Sequence, residues 1–100
     1  MNIFVHEVYR VTKTFPKDEL YGVTSQLRRA SLSVVLNFIE GYARLSDASQ
    51  RNFFRMSYAS LQESKYLIEF SYDESYLDKS VYDKVATQAD EIGAMLWKII

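Results

Sequence analysis

The chain has no cysteine, a single proline and only three glycines in 100 residues. Without cysteine there are no disulfides, thiolate metal centres or cysteine nucleophiles. So few breakers leave little material for the turns of a β fold and favour long helices. No apolar run approaches the ~18 residues of a membrane helix. The opening MNIFVHEVYRVTK is interrupted by His6, Glu7 and Arg10 before a signal-peptide core can form. A cytoplasmic protein with no membrane association is expected. The one histidine, His6, is expected at the surface, and it is too little from which to assemble a Ser-His-Asp set. The glycines are isolated, so there is no phosphate-cradling loop.

What is present is an ordinary globular composition, 48% apolar and 25% charged, in one domain spanning residues 1–100. The net charge of −1 is unevenly spread. Residues 1–60 hold eight Lys/Arg and five acids, hence +3; residues 61–100 hold four Lys/Arg and eight acids, hence −4.

Phe4, Val8, Val11 and Phe15 recur at helical spacing. Pro16 disfavours helical geometry at Phe15, so this first helix ends near Thr14. Pro16, Asp18 and Glu19 then suit the first turn of a second helix, with Gly22 a local irregularity. Leu20, Val23, Leu27, Ala30, Val34 and Asn37 form the seam of that helix, which stops around Ala43–Leu45. Ser46 and Asp47 are good caps for a third helix, from about Ala48 into the low seventies. Its inner stripe is Phe53, Ser57, Ser60, Leu61, Ser64, Leu67 and Ile68; three serines there imply a close helix approach. A second stripe comprises Met56, Ala59, Glu63, Tyr66 and Phe70. Asp78 or Ser80 caps the fourth helix, where Tyr82, Val85, Ala89, Ile92, Leu96 and Ile99 alternate by three and four. The fold class is therefore all-α: an antiparallel up-down four-helix bundle with a shortened first helix.

Helix two is apolar twice over. At 100° per residue from Leu27, Leu20, Val23, Ala30, Val34 and Phe38 stay within about 60°, whereas Val35, Ile39, Leu32 and Leu36 fall at about 80°, 120°, 140° and 180°. A lone bundle would leave aliphatics side by side in water, as association surfaces do. Leu32, Val35, Leu36 and Ile39 are thus the candidate oligomer interface. Fuller wrapping by the chain's own helices is the competing reading.

Among polar residues, Asn37 falls on the seam and needs partners if buried. Arg29, Glu40 and Glu63 interrupt apolar surface and are candidates for buried ion pairs. A carboxylate di-iron site needs two Glu-x-x-His motifs, which the chain lacks, so no metal or other cofactor is expected. Arg28, Arg44, Arg51 and Arg55 are expected to cluster near the turn between helices two and three and are candidate nucleic-acid contacts.

FPKDELYG (Phe15–Gly22), TSQLRRA (Thr24–Ala30), Ser33 and NFIEGYAR (Asn37–Arg44) together resemble the 23S rRNA intervening-sequence proteins. Weaker likeness continues at Ser60, Leu61 and Glu63, and at Asp90, Glu91, Ile92, Met95 and Leu96. The resemblance implies a left-handed four-helix bundle that forms a homopentameric ring. It also implies a gene often found within inserts of large-subunit rRNA genes, with no established enzymatic activity. A related bundle binds nucleic acid as an accessory to a reverse transcriptase. The chain departs from the family pattern in four places. Ser33-Val34-Val35-Leu36 lacks the usual proline, Ile39 replaces a small residue, Ala59 stands where glycine is usual, and part of the usual first helix is missing. The expected function is a non-enzymatic homo-oligomeric scaffold or protein-interaction module. Its partners would be copies of itself or an unidentified protein, with RNA or DNA as the alternative.

Overall fold

The computed structural model describes all 100 residues as four helices in a rod of 43 × 24 × 18 Å. They are α1 (Asn2–Thr12), α2 (Ser25–Ala43), α3 (Asp47–Asp73) and α4 (Lys79–Ile99). Each packs on its neighbours in chain order, and α1 closes the ring against α4. The core holds Phe4 and Val8 from α1, Leu27 and Val34 from α2, Leu61 and Ile68 from α3, and Val85 and Leu96 from α4. These are the expected seams. The up-down four-helix bundle and its short first helix are as the sequence indicated.

Two helix starts are capped as anticipated. Ser46 Oγ accepts from the Ser49 N–H at 3.2 Å, and Asp78 Oδ1 accepts from the Val81 N–H at 2.9 Å. The α3 terminus uses a device that the composition hides. Ser75 takes φ +64°, its N–H bonds to Tyr72 O at 2.9 Å, and the Tyr76 N–H bonds to Ser71 O at 2.8 Å. This pair of bonds is a Schellman motif, with serine where glycine is usual.

The entry to α2 differs from expectation. Pro16 precedes a 3₁₀ turn (Lys17–Glu19), a wide π-type turn follows (Leu20–Thr24), and regular helix begins only at Ser25. Gly22, at φ −112° and ψ −115°, breaks the run. Leu20 is consequently carried off the seam and is exposed. The segment is pinned by Glu19, whose carboxylate accepts from the Tyr76 hydroxyl at 2.8 Å and the Val23 N–H at 3.5 Å.

The serines do bring α2 and α3 together. Ser57 Oγ donates to the backbone carbonyl of Val34 at 2.6 Å, and the Ser33 and Ser60 hydroxyls lie 2.8 Å apart. Larger side chains could not place one helix's hydroxyl on the other's backbone. At the far end Gly41 meets Phe54, the buried member of the Phe53–Phe54 pair; Phe53, expected inside, is half-buried.

Candidate functional site

The outer face of α2 carries the main surface. Leu36 is 60% exposed, Ile39 56% and Leu32 37%, and Leu45 beyond them is fully exposed. Val35 is different: it is half-buried and packs on its own chain's core, so it supplies only the edge of this patch. The cause is rotational, because Val35 lies about 80° from Leu27 whereas Leu36 lies diametrically opposite.

The charges amid this surface are not buried pairs within the subunit. Arg29 and Glu63 are exposed and unpaired, while Glu40 is exposed and bound by Arg44 at 2.6 Å along its own helix. All three point outward, so they keep their hydration and need no ionic partner. Asn37 is half-buried and meets its need locally, donating to Ser33 O and Ser33 Oγ, both at 2.9 Å.

The expected arginine cluster divides in two. Arg28 and Arg44 are separated by about 24 Å of helix. Arg28 is half-buried: its Nε donates to Thr12 Oγ1 at 2.8 Å, its Nη2 to Tyr9 O at 3.5 Å, and its guanidinium covers the Tyr9 ring at 4.9 Å. It therefore ties α2 to α1 and is not part of the α2–α3 end. Arg44, which lies over the Phe53 ring at 4.6 Å, remains at that end with exposed Arg51 and Arg55. Arg51 and Arg55 form no ion pair and are one helical turn apart.

Two features escaped sequence reasoning. From the Arg28 contacts, α1 begins about level with Asn37 on α2. Beyond that level Phe38, Tyr42, Phe54, Met95 and Ile99 line an open apolar cleft, in which Phe38 stacks on Phe54 at 5.4 Å. The shortness of α1 was the signal available; it leaves Ile99, expected on the α4 seam, exposed. At the opposite end, Thr12, Lys13, Lys17, Thr24 and Arg28, with Phe15, Pro16 and Leu20, line an open recess that carries three cationic residues on apolar walls.

His6 is exposed. No three His, Asp or Glu side chains converge as metal ligands. No helix is long and apolar enough to cross a membrane.

Fold and surface together define a small antiparallel helical bundle whose distinctive features are an unpartnered aliphatic helix face and two separate cationic ends. The chain belongs to the 23S rRNA-intervening sequence protein family, whose model matches residues 2–98. Its structure is similar to that of a protein of unknown function from the S23 ribosomal protein family of Bacteroides thetaiotaomicron. The TM-score is 0.86 at 19% identity, over 98% of this chain and 89% of that one. At that identity the likeness establishes the fold. No curated protein matches the chain.

Proposed function

We propose that the protein is a non-enzymatic cytoplasmic scaffold that assembles with copies of itself through the outer face of α2, with the homopentamer implied by the family resemblance as the expected ring. The observation that carries this reading is the exposure of Leu36, Ile39 and Leu32 together on one helix. A fully buried aliphatic side chain returns about 2 kcal/mol, so covering the exposed portions of these three returns roughly 3 kcal/mol per subunit face. The mixed rim of Arg29, Glu40 and Glu63 suits self-association, because it offers both signs of charge to a second copy and can fix register.

Light scattering on the full chain, with and without Leu36→Asp, tests the proposal. The parent is expected at a multiple of the 11.7 kDa subunit mass. The variant is expected at lower mass with its helical circular dichroism retained, because position 36 faces away from the core. A monomeric parent refutes assembly, and an unfolded variant refutes the assignment of Leu36 to the outer face.

A second reading has its own observation: Arg51 and Arg55 are exposed and unpaired one turn apart in the first turns of α3, at the same end of the bundle as Arg44. A ring would repeat that pair once per subunit and raise the avidity for RNA or DNA. Such binding must weaken steeply with added salt. Absence of RNA or DNA binding at low salt would remove this reading and leave the scaffold intact.

A further inference from the structure

The recess between the end of α1 and the start of α2 contains groups that the assembly reading does not use. Thr24 is 97% buried by its 3% residual exposure, and its Oγ1 has no hydrogen-bond partner. An orphaned buried hydroxyl costs about 1–3 kcal/mol unless something satisfies it. Thr24 lines the same recess as Arg28, Lys13 and Lys17, whose volume is about 430 Å³. Arg28 has five N–H donors; two serve Thr12 and Tyr9, which leaves three without a protein partner. Lys13 and Lys17 are exposed, and neither pairs with a carboxylate. Three cationic residues thus line one recess together with an unsatisfied hydroxyl.

The opposing charges are accounted for. No carboxylate lines the recess. Asp18 is exposed on the adjoining turn, and Glu19 is held by Tyr76 and Val23. The carbonyls at the end of α1, which would repel an anion, are already engaged. Val8 O and Tyr9 O accept from the Thr12 hydroxyl, Arg10 O from the Lys13 N–H, and Val11 O from Thr14.

We infer that this recess binds a phosphate group, either as the free dianion or as a small phosphate monoester. Arg28 supplies paired N–H donors suited to a tetrahedral oxyanion, Lys13 and Lys17 supply charge, and the Thr24 hydroxyl gains the partner that it lacks. The volume falls within the roughly 300–1,000 Å³ of small-molecule sites, so an ester substituent has room.

The test is calorimetry and amide NMR on the full chain at neutral pH. Inorganic phosphate and adenosine 5′-monophosphate are titrated separately, with sodium chloride holding ionic strength constant. Saturable binding with Kd about 1 mM or tighter is expected, with amide shifts centred on Thr24 and Arg28. Tighter binding of the monophosphate identifies the ester as the ligand; equal or weaker binding identifies the free ion. The Lys13→Ala/Lys17→Ala variant, which alters only exposed side chains, should lose at least about tenfold in affinity, equivalent to 1.4 kcal/mol. Thr24→Val should weaken binding about threefold or more without lowering Tm, because it removes an unpartnered hydroxyl at nearly constant volume. No saturable response up to about 20 mM phosphate, unchanged affinity in the double-lysine variant, or a lowered Tm for Thr24→Val would each overturn the inference.

Discussion

Gly41→Ala is the most direct probe of how α2 and α3 meet. A Cβ at this position would lie 2.7 and 2.8 Å from two carbons of the Phe54 ring and 3.2 Å from the backbone carbonyl of Gln50. Carbon atoms settle at about 3.5–4.0 Å, so the ring must retreat by close to 1 Å. The ring is buried, stacked on Phe38 and edged by Tyr42 at 6.4 Å, so it can yield only towards the open cleft that it lines. Overpacking of this kind costs about 1–3 kcal/mol, and alanine's better helix propensity returns up to about 1 kcal/mol. The net loss is at most about 3 kcal/mol and centres near 1–2 kcal/mol, or roughly 4–16 °C in Tm for a domain of this size. Thermal unfolding followed by circular dichroism measures it, at one fixed protein concentration because any assembly raises Tm with concentration. Repeating the substitution in a Phe54→Leu background isolates the cause. There the penalty should shrink to what the remaining contact with the Gln50 carbonyl imposes. An equal penalty in both backgrounds, or a parent-like Tm for Gly41→Ala itself, would refute the close-approach account.

Ser75→Gly should stabilise the protein by about 0.5–1 kcal/mol, because glycine relieves the left-handed strain at the end of α3; a fall in the urea midpoint would contradict it. The Glu19 carboxylate, through its hydrogen bond, pushes the Tyr76 hydroxyl from 10.0 up to about 12. Folding thus favours neutral Tyr76, a contribution complete below pH 10 and lost as pH rises towards 12. The stability gap between the parent and Tyr76→Phe should close over that interval, and a gap unchanged at higher pH would exclude the latch. Glu7 behaves oppositely. The hydrogen bond from Arg10 outweighs burial and, with Lys84 at 3.3 Å, holds its carboxyl below the ordinary 4.5. Its contribution is present above pH 4.5 and lost as pH falls through the lowered value. Glu7→Gln should therefore cost up to about 1 kcal/mol at neutral pH, shrinking in acid; a pH-independent difference would rule this out.

Phe4, Val8, Leu27, Val34, Leu61, Val85 and Leu96 were legible as core because a helical repeat puts them on one face whatever the neighbouring helices do. Ser57 and Ser60 were legible as contact positions for the same reason. Leu20 was not, because the seam presumes unbroken helix and Gly22 interrupts it. Phe53 and Phe54 differ by one 100° step, which spacing alone does not resolve. Arg28 was grouped with Arg44 by composition, although a helix of that length carries them to opposite ends. Burial of Arg29, Glu40 and Glu63 was not decidable from their apolar neighbours in sequence, because those neighbours are themselves at the surface. Thr24 gave no sign until the local backbone path was known.

The serine-lined contact also bears on how the chain reaches this state. Residues 44–46 join α2 directly to α3, so the hairpin they make closes a short loop at little entropic expense. By contrast, α1 can dock on α4 only when segments from opposite ends of the chain meet. Connectivity therefore favours formation of the bundle from its middle outward, with the terminal helices arriving last.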